Sequence, residues 1–392
     1  MTRDISVIEQ GKMAMRTTKA VRTGVLALLL GTVAGRVIAG PPVAGPAPSL
    51  DTAFDRAAAV VKAAGLPGEL VVTDAAGAER SAAFGMADRA ANKPNRVGQR
   101  WLWASVTKQV TATLVMQQVA AGRMALDAPI GRYLPDFGGD RAITVRELLQ
   151  HRSGLPNASD TTAVDGVPSF YREAGSGIGD AARAAGFCSG KAKGSRGGQW
   201  EYNNCDYLVL GAALQAVTGR SYARLVEQRI AGPLRIRTLR LARDGASHGG
   251  AAATGYDGAA PVPAMNVATG GAAAALTGSA GDLARFDRGL MTGRLLGPVA
   301  RTAAWAGDTK LGFMALGVWS FPARLKGCTA PVQLVERRGD FGGTQVRNVI
   351  APALGRAVIL FTNDASAEFG EVWQGKGLTF DLLSVAFCPP TA

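Results

Sequence analysis

Histidine and cysteine are scarce in this chain of 392 residues: there are two histidines, His151 and His248, and four cysteines, Cys188, Cys205, Cys328 and Cys388. No Cys-x-x-Cys pair occurs, so a zinc site lacks its ligands, and neither a metal nor a cofactor is expected. Apart from residues 23–34, no apolar run approaches the length of a membrane span, and no internal repeat is present. Clusters of arginine with aromatic residues are missing too, which argues against nucleic acid as a partner.

The N-terminus has a targeting pattern. Lys12, Arg16, Lys19 and Arg22 precede the apolar residues 23–34, and Val37-Ile38-Ala39 reads as a small-x-small cleavage site. Residues 1–39 are therefore read as a signal peptide, with Met13 or Met15 as the suspected start. An uncleaved anchor is the alternative; the short run and the cleavage site favour removal. Residues 40–49 are a Pro- and Gly-rich linker. The chain carries 43 basic and 30 acidic residues, a formal charge of +13, which becomes +9 without residues 1–39. An exported basic protein can sit near anionic envelope polymers, but a solvated basic surface is the simpler account. Four cysteines in an exported chain favour two disulfides. Cys188 and Cys205 flank a polar glycine-rich loop and Cys328 and Cys388 share the C-terminal part, so the expected pairs are 188–205 and 328–388.

Residues 50–64 have a helical pattern, and residues 69–73 and 78–84 read as a strand hairpin. A helix follows Ser105, with Val106, Val110, Leu114, Val115 and Val119 at helical spacing and Gly122 as its stop. Residues 126–134 read as a short helix ended by Pro135. Thr144 to Glu147 has capping-box form. Asn204 is read as the cap of a helix stopped by Gly219, and Ser221 as the start of another running to Ile230. Ser279 caps a helix through Leu283, Phe286 and Leu290. Residues 346–351 and 356–362 read as paired strands, and residues 369–387 as a closing helix. This order points to an α+β fold: one antiparallel sheet built from both ends of the chain, flanked by helices, plus a mostly helical lobe. The sheet lobe would take residues 50–104 and 265–392, and the helical lobe residues 105–264.

Chemistry concentrates at Ser105-Val106-Thr107-Lys108. On a helix, residues three apart share a face, which sets the Ser105 hydroxyl beside the Lys108 ammonium. A serine hydroxyl needs a base or a nearby cation to become a nucleophile. One Ser-x-x-Lys is expected by chance in about one chain of this length, so the context decides. Apolar Trp101-Leu102-Trp103-Ala104 precedes the pair, which puts Ser105 where an extended segment enters a buried helix, with backbone N–H groups available to an oxyanion. Tyr202 and Asn204 follow a glycine-rich loop at a helix start: Tyr202 offers a general base if a cation such as Lys108 stands near, and Asn204 can hold Lys108 or a substrate amide. Arg337, Gly339 and Asp340 lie in a segment read as an edge strand where glycine lets a substrate backbone approach. His151 ends the 144–151 helix at a Ser-Gly turn and is given a structural role rather than the base role of a Ser-His-Asp scheme.

Ser-x-x-Lys, Tyr-x-Asn and a basic-x-Gly strand, in that order, resemble the class C β-lactamase and D-alanyl-D-alanine carboxypeptidase superfamily of serine hydrolases, which includes esterases and D-aminopeptidases. Ala104 to Gln109, residues 126–137 and residues 143–155 with Leu148-Leu149-Gln150-His151-Arg152-Ser153-Gly154-Leu155 resemble further segments of that group. The resemblance spans nearly all of the chain after the linker and implies a serine β-lactamase/transpeptidase-like fold. It implies that Ser105 is acylated, that Lys108 and Tyr202 share the acid–base work, that Asn204 positions substrate, and that the amides of Ser105 and Asp340 form the oxyanion hole. The family usually has Lys or His where this chain has Arg337. Arginine is planar, larger and always charged, so it can grip a substrate carboxylate bidentately or fill the pocket. The expectation is a periplasmic or secreted serine hydrolase taking an ester, amide or D-amino-acid peptide, cell-wall-derived peptides among the candidates. No stable membrane partner is expected once the signal is removed. A true β-lactamase or penicillin-binding carboxypeptidase is the first alternative, and a catalytically silent binding protein with the same fold the second.

Overall fold

The computed structural model describes residues 47–175, 179–245 and 250–390. The leader expected at 1–39, most of the linker and His248 lie outside them. The described residues belong to one unit, Ala44–Ala392. It opens with the helix Leu50–Ala63, capped by Ser49, whose hydroxyl accepts from the Thr52 amide at 3.1 Å. The strands Gly68–Asp74 and Glu79–Phe84 form the hairpin that follows. Four more strands, Trp319–Ala323, Val332–Phe341, Thr344–Ala351 and Arg356–Thr362, complete an antiparallel sheet in which Gly68–Asp74 lies against Arg356–Thr362. Leu70 stands opposite Leu360, so the two ends of the chain do share one sheet, and the fold is α+β.

The four inner strands feed two cores by simple alternation. Leu70, Val72, Val358 and Leu360 face the helices Leu50–Ala63 and Leu378–Phe387. Val71, Ile359 and Phe361 point the other way, toward the helix Ala280–Met291 and the main core. The helix Thr107–Ala120 lies inside that core, packed by Asn204–Thr218, Gly271–Ala274 and Pro298–Ala304. Its polar residues Lys108, Gln109, Thr111 and Thr113 are buried along with the apolar ones. A helix enclosed on all sides fixes its side chains more firmly than a surface helix. The two disulfides are the expected ones, Cys188–Cys205 and Cys328–Cys388, and such bonds suggest a non-cytoplasmic protein. No helix among the described residues is long and apolar enough to cross a membrane.

Several local expectations are corrected. Residues 126–134 form turns and a short 3-10 helix, Ile130–Arg132. Pro129 has no N–H and disfavours a helical Ala128, and the Ile130 amide bonds to Ile143 O instead, at 2.6 Å. The closing helix is only Leu378–Phe387; Gly370, Gly375 and Gly377, all at positive φ, break the segment before it. The helix expected from Ser221 to Ile230 is present, running from Tyr222 to Val226 and on as a π-helix to Ala231. The cap of the Asn204–Thr218 helix is Asn203, whose side chain accepts from the Cys205 amide at 2.8 Å. Asn204 is the first helical residue, and its side chain is turned elsewhere.

Candidate active site

Arg100–Leu102 pairs with Leu276–Ser279, and the chain then bends sharply into the buried helix. Ala104 carries the bend at φ +47°, a conformation costly for a residue with a Cβ. Ala104–Val106 is a 3-10 turn leading into Thr107–Ala120. Ser105 sits on this turn with its side chain at the edge of the core.

The strand Val332–Phe341 crosses directly over the turn. A Cβ on Gly339 would lie 2.8 Å from the Trp103 carbonyl oxygen, 2.9 Å from Ala104 Cβ and 2.7 Å from Val346 Cγ1. Only glycine fits there, so Gly339 brings strand and nucleophile turn together. The edge-strand reading is half right. The strand Trp319–Ala323 covers this strand only as far as Glu336, leaving residues 337–341 with an open edge toward the turn. Gly342 and Gly343 make a two-residue hairpin with positive φ at both positions. That turn makes Phe341 and Thr344 the hydrogen-bonded pair, so the Asp340–Gln345 pair is non-bonded and the Asp340 amide points off the open edge. The Asp340 carboxyl lies on the opposite face of the strand from Gly339, and burial raises its pKa to about 6 against the opposing Arg347 charge.

Lys108 is fully buried. Its Nζ stands 3.1 Å from Ser105 Oγ, 2.5 Å from Tyr202 Oη, 2.6 Å from Asn204 Oδ1 and 3.1 Å from the carbonyl oxygen of Ala273. A buried ammonium is tolerable when it is surrounded by acceptors in this way. Tyr202 Oη is also hydrogen-bonded to Ser105 Oγ. Ser105, Lys108 and Tyr202 thus touch one another pairwise. Asn204 accepts from Lys108 and, through Nδ2, donates to Tyr171 Oη at 2.8 Å and Ser159 Oγ at 3.3 Å. Its amide is oriented from both ends and holds Lys108 in place.

Arg337 is buried, not extended into solvent as a clamp. Its Nε donates to the Ser105 carbonyl oxygen at 2.9 Å and its Nη2 to Tyr202 Oη at 3.3 Å. The guanidinium thus binds the backbone of the nucleophile turn and the Tyr202 oxygen together.

The segment 201–204 is held from behind by residues 151–157, a scaffold that sequence reading missed apart from His151. The Asn204 amide donates to Asn157 Oδ1 at 3.0 Å, and Asn203 Nδ2 to Leu155 O at 2.7 Å. The Glu201 amide bonds to His151 O at 3.0 Å and the Asn203 amide to His151 Nδ1 at 3.2 Å. His151, at φ +57°, is completely enclosed between these groups and Asp206. Burial, then the charges of Arg337 and Lys108, hold its pKa well below the usual imidazole range. Its Nδ1 accepts from the Asn203 amide, so the ring braces the segment behind Tyr202. Burial raises the Asp206 carboxyl well above its ordinary range. Asn157, Ser159 and Tyr171 left no sequence signal, since each acts through a contact distant in the chain.

An antiparallel sheet flanked by helices, with a serine, a lysine and a tyrosine converging where a buried helix begins, defines a serine β-lactamase/penicillin-binding-protein-like architecture. The chain belongs to the beta-lactamase family, whose description it matches over residues 54–375. It is 34% identical over 170 residues to the esterase EstB of Burkholderia gladioli, covering 40% of this chain and 42% of that one. To a D-aminopeptidase of Cereibacter sphaeroides it is 29% identical over 181 residues, 45% of this chain and 33% of the relative. The matches thus span less than half the length of these curated relatives. Among solved structures, the D-amino acid amidase of Ochrobactrum anthropi superposes with a TM-score of 0.68 at 20% identity, covering 85% of this chain and 98% of that one. FmtA of Staphylococcus aureus gives 0.67 at 18% identity, covering 91% and 94%. At these identities the two structures establish the fold alone.

Proposed function

We propose that this protein is an exported serine hydrolase that forms an acyl-enzyme on Ser105 and acts on an ester, an amide or a D-amino-acid peptide. The observation that carries the reading is that Ser105 Oγ lies within hydrogen-bonding reach of both Lys108 Nζ and Tyr202 Oη. Ser105 Oγ attacks the substrate carbonyl carbon and passes its proton to Tyr202 Oη, which acts as the phenolate. The carbonyl electron pair moves onto oxygen, where the amides of Ser105 and Asp340 receive it. The tetrahedral species then collapses, and the leaving atom takes the proton from Tyr202. Water attacks the acyl carbon by the same route, Tyr202 accepting its proton and returning it to Ser105 Oγ as the acid departs. Lys108 and Arg337 face Tyr202 Oη from two sides and stabilise negative charge on it.

The esterase and D-aminopeptidase relatives support acyl transfer to water as the reaction class. The two disulfides support a periplasmic or secreted location. The test is labelling by a fluorophosphonate, followed by a panel of simple esters, a chromogenic cephalosporin and D-Ala-D-Ala peptides. An adduct on Ser105, lost in Ser105→Ala, with turnover of at least one class, is the expected result. Cephalosporin turnover identifies a β-lactamase, and a stalled cephalosporin adduct with release of D-Ala from the peptides a carboxypeptidase. A folded protein with no adduct on Ser105 is a silent binding protein, and the hydrolase reading is then wrong.

A further inference from the structure

Tyr202 lies at the inner end of a row of aromatic rings that leads out of the site. Its ring centroid is 6.5 Å from that of Trp200, which is 5.9 Å from that of Trp319. Both indoles are partly exposed. The Arg337 guanidinium, which touches Tyr202 Oη, stands 5.4 Å from the Trp319 ring and so links the phenol oxygen to that indole. Farther out, Arg338 stacks between Trp319 at 5.6 Å and Trp373 at 5.2 Å. Its charge is met by Glu336 at 2.8 Å and Glu371 at 2.6 Å, so the outer row presents ring faces, not a free cation.

The chemistry assigns this row to one side of the substrate. The leaving atom must take its proton from Tyr202, so it departs beside Tyr202 Oη, and its substituent extends away from there. Lys108 and Asn204 close the inner side of Oη and are buried, and the His151 ring packs 4.7 Å from the tyrosine ring. The partly exposed rings nearest Tyr202 are Trp200, which also packs 6.1 Å from His151, and Trp319, reached through Arg337. We propose that Trp200 and Trp319 form the leaving-group subsite and that it selects aryl or arylalkyl alcohols and amines over small aliphatic ones. Indole faces reward a flat apolar partner both by area and by ring geometry. The inference rests on the hydrolase reading above.

The test compares benzyl acetate with ethyl acetate, which share an acyl group and have leaving alcohols of nearly equal acidity. The mature wild-type protein, Trp319→Ala, Trp319→Phe and Trp200→Ala are assayed for the ratio of kcat/KM between the two esters. The wild type is expected to favour the benzyl ester by about tenfold, the size of one aromatic contact with its buried area. Trp319→Ala and Trp200→Ala should bring the ratio to within about twofold of unity, and Trp319→Phe should keep most of it. A wild-type ratio near unity, or one that both alanine variants preserve, overturns the subsite. Fluorophosphonate labelling separates the two layers, since its fluoride leaving group reaches neither indole. Failure to label Ser105 in the wild type, with neither ester turned over, removes the hydrolase reading and the subsite with it.

Discussion

Arg337 Nε donates to the carbonyl oxygen of Ser105 at 2.9 Å, so a residue of the sheet's open edge holds the backbone of the nucleophile turn. The same guanidinium reaches Tyr202 Oη at 3.3 Å. A planar fork serves two oxygens at once, and a lysine ammonium on a flexible stem does not reproduce that geometry.

Arg337→Lys should therefore lower kcat/KM for the best substrate about 10- to 100-fold, the value of one or two charge-assisted hydrogen bonds. Arg337→Ala should be at least as damaging. Steady-state kinetics on purified variants decide this; wild-type activity in Arg337→Lys would mean that the fork is dispensable.

Lys108→Met keeps the volume of a buried side chain and removes its charge. The rate of fluorophosphonate labelling at Ser105 is expected to drop by about 10²- to 10⁴-fold, the range for loss of acid–base assistance. Labelling at the wild-type rate would place the activating group elsewhere.

Gly339→Ala should separate the strand from the nucleophile turn, because the new methyl would meet Trp103 O and Ala104 Cβ within 3 Å. The Asp340 amide moves with the strand. A fall in kcat of about tenfold or more is expected, approaching the cost of a lost oxyanion donor. Retained kcat in a folded variant would show that the amide is not used.

Asp287 gives a stability change of known sign. It is buried behind the Ser105 helix, its Oδ1 accepting from Asn348 Nδ2 at 3.0 Å, and burial raises its pKa from 3.8 to about 8. A carboxyl with a raised folded pKa contributes stability below its unfolded value that is lost as pH rises through the folded one. Between about pH 4 and 8 the wild type should lose stability from this group, whereas Asp287→Asn should not. Melting temperatures of the two proteins across that range should diverge toward alkaline pH, with the variant higher; parallel curves would refute the assignment.

The two disulfides should separate stability from activity. Cys328–Cys388 closes 60 residues on the outer face of the sheet, so removing it should cost about 4 kcal/mol and leave the labelling rate of Ser105 unchanged. Cys188–Cys205 closes 17 residues beside Asn204, and removing it should cost about 3 kcal/mol and also slow labelling. Chemical denaturation and labelling of each Cys→Ser pair variant provide the comparison.

Much of the frame was legible because it is locally encoded. Leu70, Val71 and Val72 form a short apolar run bounded by turn residues, and the run became a strand buried on both faces. Ser49, Thr144, Ser221 and Ser279 cap helices through bonds to amides three residues on. Where two neighbours were equally suited, local reasoning chose wrongly: Asn203 and Asn204 are both good caps, and only the position of Lys108 makes Asn204 face inward. Residues 126–134 have helical periodicity, but Pro129 and the bond from Ile130 to Ile143 outweigh it.

The sequence by itself determined that Ser105 and Lys108 would be neighbours, because three residues along a helical turn leave no other geometry. It also determined which segments form strands and where most helices begin, whereas the cysteine pairing it suggested was decided by the fold. Only the tertiary structure decided that Tyr202, 94 residues from Lys108, would close the cluster, and that Arg337, 232 residues from Ser105, would turn inward to hold the nucleophile's carbonyl. Periodicity names the face a residue occupies; which distant face meets it depends on packing around the bend at Ala104 and on a strand that approaches only because residue 339 has no side chain.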